Sequence, residues 1–424
     1  MSSLKDQVYP GDVIAAIKTI FGSEANVVDF EVSKGTSSVQ GFMSCILRVR
    51  ATCTVGNDSE TKTAQFIVKS MPTLEAQKAV VQDMRLFDQE IAFFTKCLPT
   101  MKKRCPDLKV VNCLFAHSAS TIVMEDLSQN GFTTLMKNFE DTKDQLLTFG
   151  QARMAIRELA KLHASSQGTD WLKIMPEFFE KDILLEVDDG KSCKQMVCNS
   201  IRGSVIPILE HIYRDETSKI QKYVDWIRDF EGNVFPFILK VNKANPRYQN
   251  ALCHGDFGVH NFMVRSHPDS GDEIKIIDLQ TVHFAPVHSD LLYFFYLGLK
   301  GDFRVQHEEA LLRTYVEQFN ASCNHTPDPI DLDQFIMDYD ENRLFGILMA
   351  ISMCPIPFVG GISPPEGAEL TEENFNNLLG SEEQLDRNKF IALKTLNENH
   401  HFQSEMKFLI DEMISELDKT VFKK

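Results

Sequence analysis

ALCHGDFGVHNFMVRSHPDSGDEIKIIDLQTVHF, residues 251–284, is the stretch on which the rest of the chain is organised. It places His254, Asp256 and Asn261 on one short polar segment and Asp278 at the end of an apolar, β-branched run. An isolated His-Gly-Asp is common. Asp-x-x-x-x-Asn followed by Ile274-Lys275-Ile276-Ile277-Asp278 is far more specific, because it has the spacing of a phosphoryl-transfer loop. In that chemistry Asp256 orients a hydroxyl and takes its proton, while Asn261 and Asp278 hold Mg²⁺. A neutral amide oxygen and a carboxylate suit that ion better than zinc or iron. His254 braces the loop. The polar insert 266–272 reads as a hairpin turn, so 262–264 and 274–277 pair and bring Asn261 and Asp278 to one end.

Working upstream, residues 44–55 and 62–68 read as paired strands, the second ending in Lys69. The small-residue segment 34–41, containing Ser38, is a loop that can lay backbone N–H groups over phosphates. A helix is expected over 73–98. Glu90 falls within its apolar stripe, three residues after Phe87 and four before Phe94, so its carboxylate points inward and needs a partner. Lys69 is the natural one, since a strand lysine fixed by a helix glutamate is how kinases anchor phosphates. A second hairpin, 109–115 with 121–124, runs into Glu125-Asp126-Leu127. That is the place of a hinge whose backbone pairs with adenine, which marks Glu125 and Leu127.

Downstream the pattern is helical, with helices expected over 151–165, 220–239, 290–299, 308–321, 330–354 and 370–379. A last one, within 382–422, splits near 397–401. His163, near the end of the first of these, reads as a packing or capping histidine. Taken singly, each has a bland reading, Asp256 as a turn cap and Asp278 as the end of an exposed strand. Together with Lys69 and Glu90, in this order, chance is a poor account of them.

Composition sets the outer limits. At 424 residues the chain exceeds what one core usually supports, so two lobes are expected, 1–126 for nucleotide and 127–424 for catalysis and acceptor. A net charge of −16 argues against general affinity for nucleic acid or anionic membranes. The ten cysteines include no pair at Cys-x-x-Cys spacing, and no signal-peptide-like apolar run opens the chain. Both point to a reduced, cytoplasmic protein. The longest uncharged stretch, 344–365, is broken by prolines and glycines before it could span a membrane.

HGDFGVHN and IIDLQTVHFAPVHSDLLYFF, with FIVKSMP, Phe87-x-x-Glu90-x-x-Phe93 and VMEDL upstream, resemble the ecdysteroid kinase-like family. This family lies within the choline-kinase and aminoglycoside-phosphotransferase branch of kinase-fold enzymes. The resemblance implies an α+β, two-lobed protein-kinase-like fold with a small, mainly antiparallel β lobe and a large helical one. It implies ATP and Mg²⁺ as cofactors and a small-molecule hydroxyl as acceptor, an ecdysteroid-like or other lipophilic alcohol before choline. It makes Asp256 the base, Asn261 and Asp278 the metal ligands, Lys69 with Glu90 the phosphate anchor, and Asp290 a buttress of the catalytic loop. Family members often carry Trp where Gly258 stands, and their nucleotide loop has a fuller Gly-x-Asn-Tyr pattern.

Three other readings compete. Only eleven residues separate Asp278 from Asp290, and no Ala-Pro-Glu follows, so there is no room for a protein kinase's activation segment. A catalytically weak nucleotide- or small-molecule-binding pseudokinase is opposed by the intact Asp256, Asn261, Asp278 and Lys69. A metal hydrolase using His254, Asp256 and His260 lacks a further His/Asp cluster at ligand spacing.

Overall fold

The computed structural model describes residues 4–35, 43–56, 60–117, 120–136, 145–176, 193–267, 271–322, 329–354 and 382–423. Ser38 and the helix expected over 370–379 lie outside them. Five strands form one antiparallel sheet in the order β1-β2-β3-β5-β4: β1 Ala25–Lys34, β2 Cys45–Val55, β3 Lys62–Ser70, β4 Cys113–His117 and β5 Thr121–Glu125. Alternation along β2 and β3 sends Leu47, Val49, Phe66 and Val68 to one side, where they pack with Val13 and Ile17 of helix Pro10–Phe21. That is one core. The second and larger core is built by the helices from Phe149 onward, and it also takes in Leu86, Phe87, Phe93 and Phe94. The fold is two-lobed α+β, with the sheet in the smaller lobe.

Three expected helices are broken, each for a local reason. The one over 73–98 divides into Glu75–Asp83 and Leu86–Ala92, because Arg85 adopts a left-handed φ of 52°. The one over 220–239 stops at Arg228. There Asp229 turns its carboxylate onto the Gly232 N–H, and a new helix, Phe235–Asn242, starts with Pro236 in its first turn. The one over 330–354 breaks at Asn342, whose side chain donates to the Asp338 carbonyl at 2.7 Å. The terminal split falls at Asn399, whose Oδ1 caps helix His400–Thr420 by accepting from Phe402 N. Helix Phe149–Ser165 opens on a reciprocal capping box between Thr148 and Gln151.

Below the sheet, β6 Asn250–Cys253 pairs with β9 His283–Pro286, and β7 Phe262–His267 with β8 Gly271–Ile276. The β7–β8 hairpin is clasped on both edges. Val111 N and Ile276 N bond across to Ile276 O and Lys109 O, while Thr133 and Val264 exchange both backbone bonds at 2.8 Å. This clasp ties the chain entering and leaving the sheet to the hairpin that carries Asn261 and Asp278.

His288 opens helix His288–Gly298, buried against the rings of Tyr248 and Phe335. Neither ring nitrogen has a well-formed hydrogen bond among the described residues, and burial pushes its pKa down to about 3 against weak opposition from the Phe335 backbone. The unfolded chain binds a proton near pH 6.5 that the native state refuses until about pH 3. This histidine therefore takes away about 1.4 kcal/mol of stability for each pH unit below 6.5. His288→Phe should flatten the pH dependence of urea unfolding between pH 6.5 and 4.5 by that slope; parallel profiles for the two proteins would refute it.

Candidate active site

Lys69, Glu90, Asp256, Asn261 and Asp278 come from four segments, with Asp256 and Asn261 sharing the loop between β6 and β7, and meet where the sheet faces the β7–β8 hairpin. Lys69 sits near the end of β3, almost wholly buried, with Nζ 2.6 Å from Glu90 Oε2 and 2.7 Å from Asp278 Oδ1. Burial works against its charge, but the carboxylates of Asp278 and Glu90 more than offset this and hold its pKa above the ordinary value. Glu90, on helix Leu86–Ala92, uses its other oxygen to accept from Leu279 N at 3.3 Å. Its neighbour Gln89 donates to the Val282 carbonyl. The helix is thereby fastened to the backbone just after Asp278.

Asp278 follows β8 and has φ of 62°, a left-handed conformation that only a few residue types adopt without strain. That bend turns the carboxylate out of the strand, 31% exposed, toward Lys69. Gln280 completes the arrangement with Oε1 3.2 Å from Lys69 Nζ and Nε2 3.4 Å from Asp278 Oδ2.

The loop between β6 and β7 is held from behind. Asp290 Oδ2 accepts from His254 N at 2.6 Å and Oδ1 from Gly255 N at 2.8 Å. The His254 ring bridges inward, with Nδ1 accepting from Asp256 N at 3.3 Å and Nε2 2.9 Å from the Ile277 carbonyl. Thr281 Oγ1 donates to His254 O. Gly255 has φ of 84°, and a Cβ there would strike the Thr281 carbonyl, so no other residue fits.

Asp256 is thus presented on a rigid turn. Asn261 Nδ2 donates to its Oδ2 at 2.9 Å and to its backbone carbonyl at 2.8 Å, which turns the Asn261 amide oxygen away from the aspartate. His260 Nε2 lies 3.3 Å from the same Oδ2. Its ring occupies the space that a Cβ on residue 258 would fill, so Gly258 is what lets His260 approach the carboxylate. Burial alone would raise the Asp256 pKa, but His260, the Tyr293 hydroxyl and His254 hold it below the ordinary carboxylate value.

The expected hinge residues are engaged with the protein. Glu125 donates its N–H to Asn112 O at 3.0 Å, and its carboxylate accepts from Asn112 N and Lys275 Nζ. The Glu125 N–H is therefore not available to a base. Leu127 is buried, and its carbonyl accepts from Phe132 N.

Residues whose sequence context assigns them no part in the chemistry also contribute. His163 is fully buried, with Nε2 3.0 Å from Asp290 Oδ2 and Nδ1 2.7 Å from the Tyr315 hydroxyl. Its packing is that of a brace for Asp290. Ligand atoms of His163, Cys253 and Asp290 lie within 4.8 Å of one another, a cluster that no sequence spacing announces. Gln280 and Tyr293 were visible only as ordinary neighbours of Asp278 and Asp290.

A comparison with curated proteins returns no similar sequence. Among solved structures, the Plasmodium vivax ethanolamine kinase Pv091845 is similar at 14% identity over 95% of this chain and 86% of that one, with a TM-score of 0.42. The choline kinase LicA from Streptococcus pneumoniae is similar at 13% identity over 95% and 99%, with a TM-score of 0.36. The GDP complex of aminoglycoside 2′-phosphotransferase-IIIa follows at 13% identity over 95% and 98%, with a TM-score of 0.35. No described helix is long and apolar enough to cross a membrane. The sequence profile of the ecdysteroid kinase-like family matches residues 38–327, a span holding Lys69, the Asp256 loop, Asp278 and Asp290, and the chain belongs to that family.

Proposed function

We propose that the protein is an ATP- and Mg²⁺-dependent phosphotransferase acting on a hydroxyl of a small molecule. The observation that carries this reading is the convergence of Lys69, Asp278, Asn261 and Asp256, with Lys69 Nζ 2.7 Å from Asp278 and Asn261 bonded to Asp256. In this reading the lobe of residues 1–126 holds the nucleotide and 127–424 supplies catalysis and the acceptor site.

Lys69, positioned by Glu90, neutralises phosphate charge. With the Glu125 N–H and the Leu127 carbonyl taken up by the protein, the hinge contributes through the remaining backbone groups of 125–127. Asp256 orients the acceptor hydroxyl and takes its proton as the hydroxyl oxygen bonds to the terminal phosphorus and the bond to the bridging oxygen breaks. A carboxylate with a depressed pKa is a weak base, so its larger contribution is alignment, with proton transfer late. The Asn261 amide oxygen and the Asp278 carboxylate are hard donors of the kind Mg²⁺ takes. Bound there, Mg²⁺ would neutralise phosphate charge and help hold the phosphates in line.

A small acceptor is favoured because the chain passes from β8 through β9 directly into helix His288–Gly298, leaving no activation segment. Family membership favours an ecdysteroid-like or other lipophilic alcohol. The test pairs two measurements. Purified protein with Mg-ATP and a panel of steroid, phenolic and amino-alcohol acceptors should yield a phosphorylated product by mass spectrometry. Asp278→Ala should abolish the Mg²⁺-dependent part of ATP protection in thermal unfolding, with affinity about tenfold weaker or worse. Full protection in that variant would remove Asp278 from the metal site, and nucleotide binding without any product would favour the pseudokinase reading.

A further inference from the structure

Register fixes which side chains share the cleft face of the sheet. Ile46 pairs with Lys69 and Arg48 with Ile67 across β2 and β3, and Ile67 and Lys69 pair with Met124 and Ile122 across β3 and β5. Directly paired residues, and residues two apart on a strand, lie on the same side. Lys69 reaches into the cleft to Asp278, so Arg48, Ile67 and Met124 form the next row on that face. This row is one step nearer to residues 125–127. The opposite face is spent on the sheet core through Leu47, Val49, Phe66 and Val68.

A charged side chain in a row of apolar ones needs a reason to be there, and Arg48 is held with care. Its Nε donates to Asp126 Oδ2 at 2.7 Å, and Gln65 Nε2 donates to the same oxygen at 2.6 Å. Asp126 Oδ1 accepts from Ser128 N at 3.1 Å and from Ser128 Oγ at 2.7 Å. The Asp126 carboxylate is buried and its acceptors are taken by the protein, whereas the Arg48 side chain is 31% exposed. The group offered to the cleft is therefore the guanidinium, oriented by a carboxylate whose two oxygens are already engaged by Arg48, Gln65 and Ser128. A planar, weakly hydrated cation fixed on a cleft wall binds the π-face of an aromatic ring. Between the lysine that takes the phosphates and the strand end at 125–127, the ring a nucleoside triphosphate brings is its base.

We propose that Arg48 is a nucleotide-base contact, its guanidinium oriented by Asp126 and Gln65 to stack on the purine of bound ATP. This rests on the phosphotransferase reading above and adds a residue that the phosphate chemistry does not require. Stacking reads the base face and leaves the phosphates alone, which gives the test its form. Binding of ATP and of inorganic tripolyphosphate, each with Mg²⁺, is measured by calorimetry for wild type, Arg48→Met and Arg48→Lys. Arg48→Met should weaken ATP about tenfold and leave tripolyphosphate unchanged. Arg48→Lys keeps the charge beside Asp126 but has no planar face, and should show the same selective loss; it decides the matter if the methionine variant does not fold. ATP affinity equal to wild type in Arg48→Lys, or equal losses for ATP and tripolyphosphate, would overturn the proposal. A wild type that binds neither probe would instead overturn the phosphotransferase reading itself.

Discussion

Asp256→Asn should lower turnover by about 10³-fold while Mg-ATP affinity stays within about twofold of wild type. The substitution keeps the size and planarity of the side chain, so the turn from His254 to Asn261 has no steric reason to move. What it removes is an acceptor. Asn261 and His260 both address Oδ2, and Tyr293 also faces the carboxylate. An amide in its place must either present N–H groups to those donors or turn its single oxygen to them and leave nothing to receive the acceptor's proton. Lys69 and Asp278 are untouched by either choice, which is why binding should survive. The measurement is kcat with whichever alcohol the acceptor panel identifies, alongside calorimetric ATP affinity. An unchanged kcat would remove Asp256 from the base role, and a parallel loss of ATP affinity would mean that the loop had collapsed.

How much of this was legible in the sequence depends on the range of the physics involved. The Lys69–Glu90 contact was readable because Glu90 sits in an apolar stripe and a buried carboxylate must find a cation. The β7–β8 hairpin was readable because β-branched alternation and a polar turn are local signals. The breaks at Arg85, Asp229 and Asn342 were not. Each is set by one residue's backbone or side-chain bond inside a segment whose apolar periodicity continues across it. The hinge shows the same limit from another side. Position marked Glu125, but only the fold shows its N–H spent on Asn112 and its carboxylate on Lys275. The packing role of His163 was readable but its partners Asp290 and Tyr315 were not, and Gln280 and Tyr293 escaped altogether, because the groups they meet lie far along the chain or on the next element. Their residue types carry no signal until the fold assembles them.

Asp290→Asn should cost about 3–5 kcal/mol of stability, and its pH dependence identifies the cause. The carboxylate is 1% exposed and collects His254 N, Gly255 N and His163 Nε2 on its two oxygens. An amide has one accepting oxygen, so at least one of these donors is left facing an N–H in a buried site. The loop that presents Asp256 then loses its support, and kcat should fall with stability. The sign in pH follows from the carboxyl's own shift. Burial would raise the Asp290 pKa, but His163, together with His254 and His283, holds it below the ordinary value of 3.8. A depressed carboxyl stabilises fully above its unfolded pKa, and that contribution is lost as pH falls through the folded one. The gap between wild type and Asp290→Asn in urea unfolding should therefore stay constant from pH 8 to about pH 5 and close only in stronger acid. His288, two residues away, acts in the other window, beginning near 6.5. A gap that narrowed between pH 7 and 5 would assign the linkage to a histidine and refute the account of Asp290 as the charged anchor of the loop.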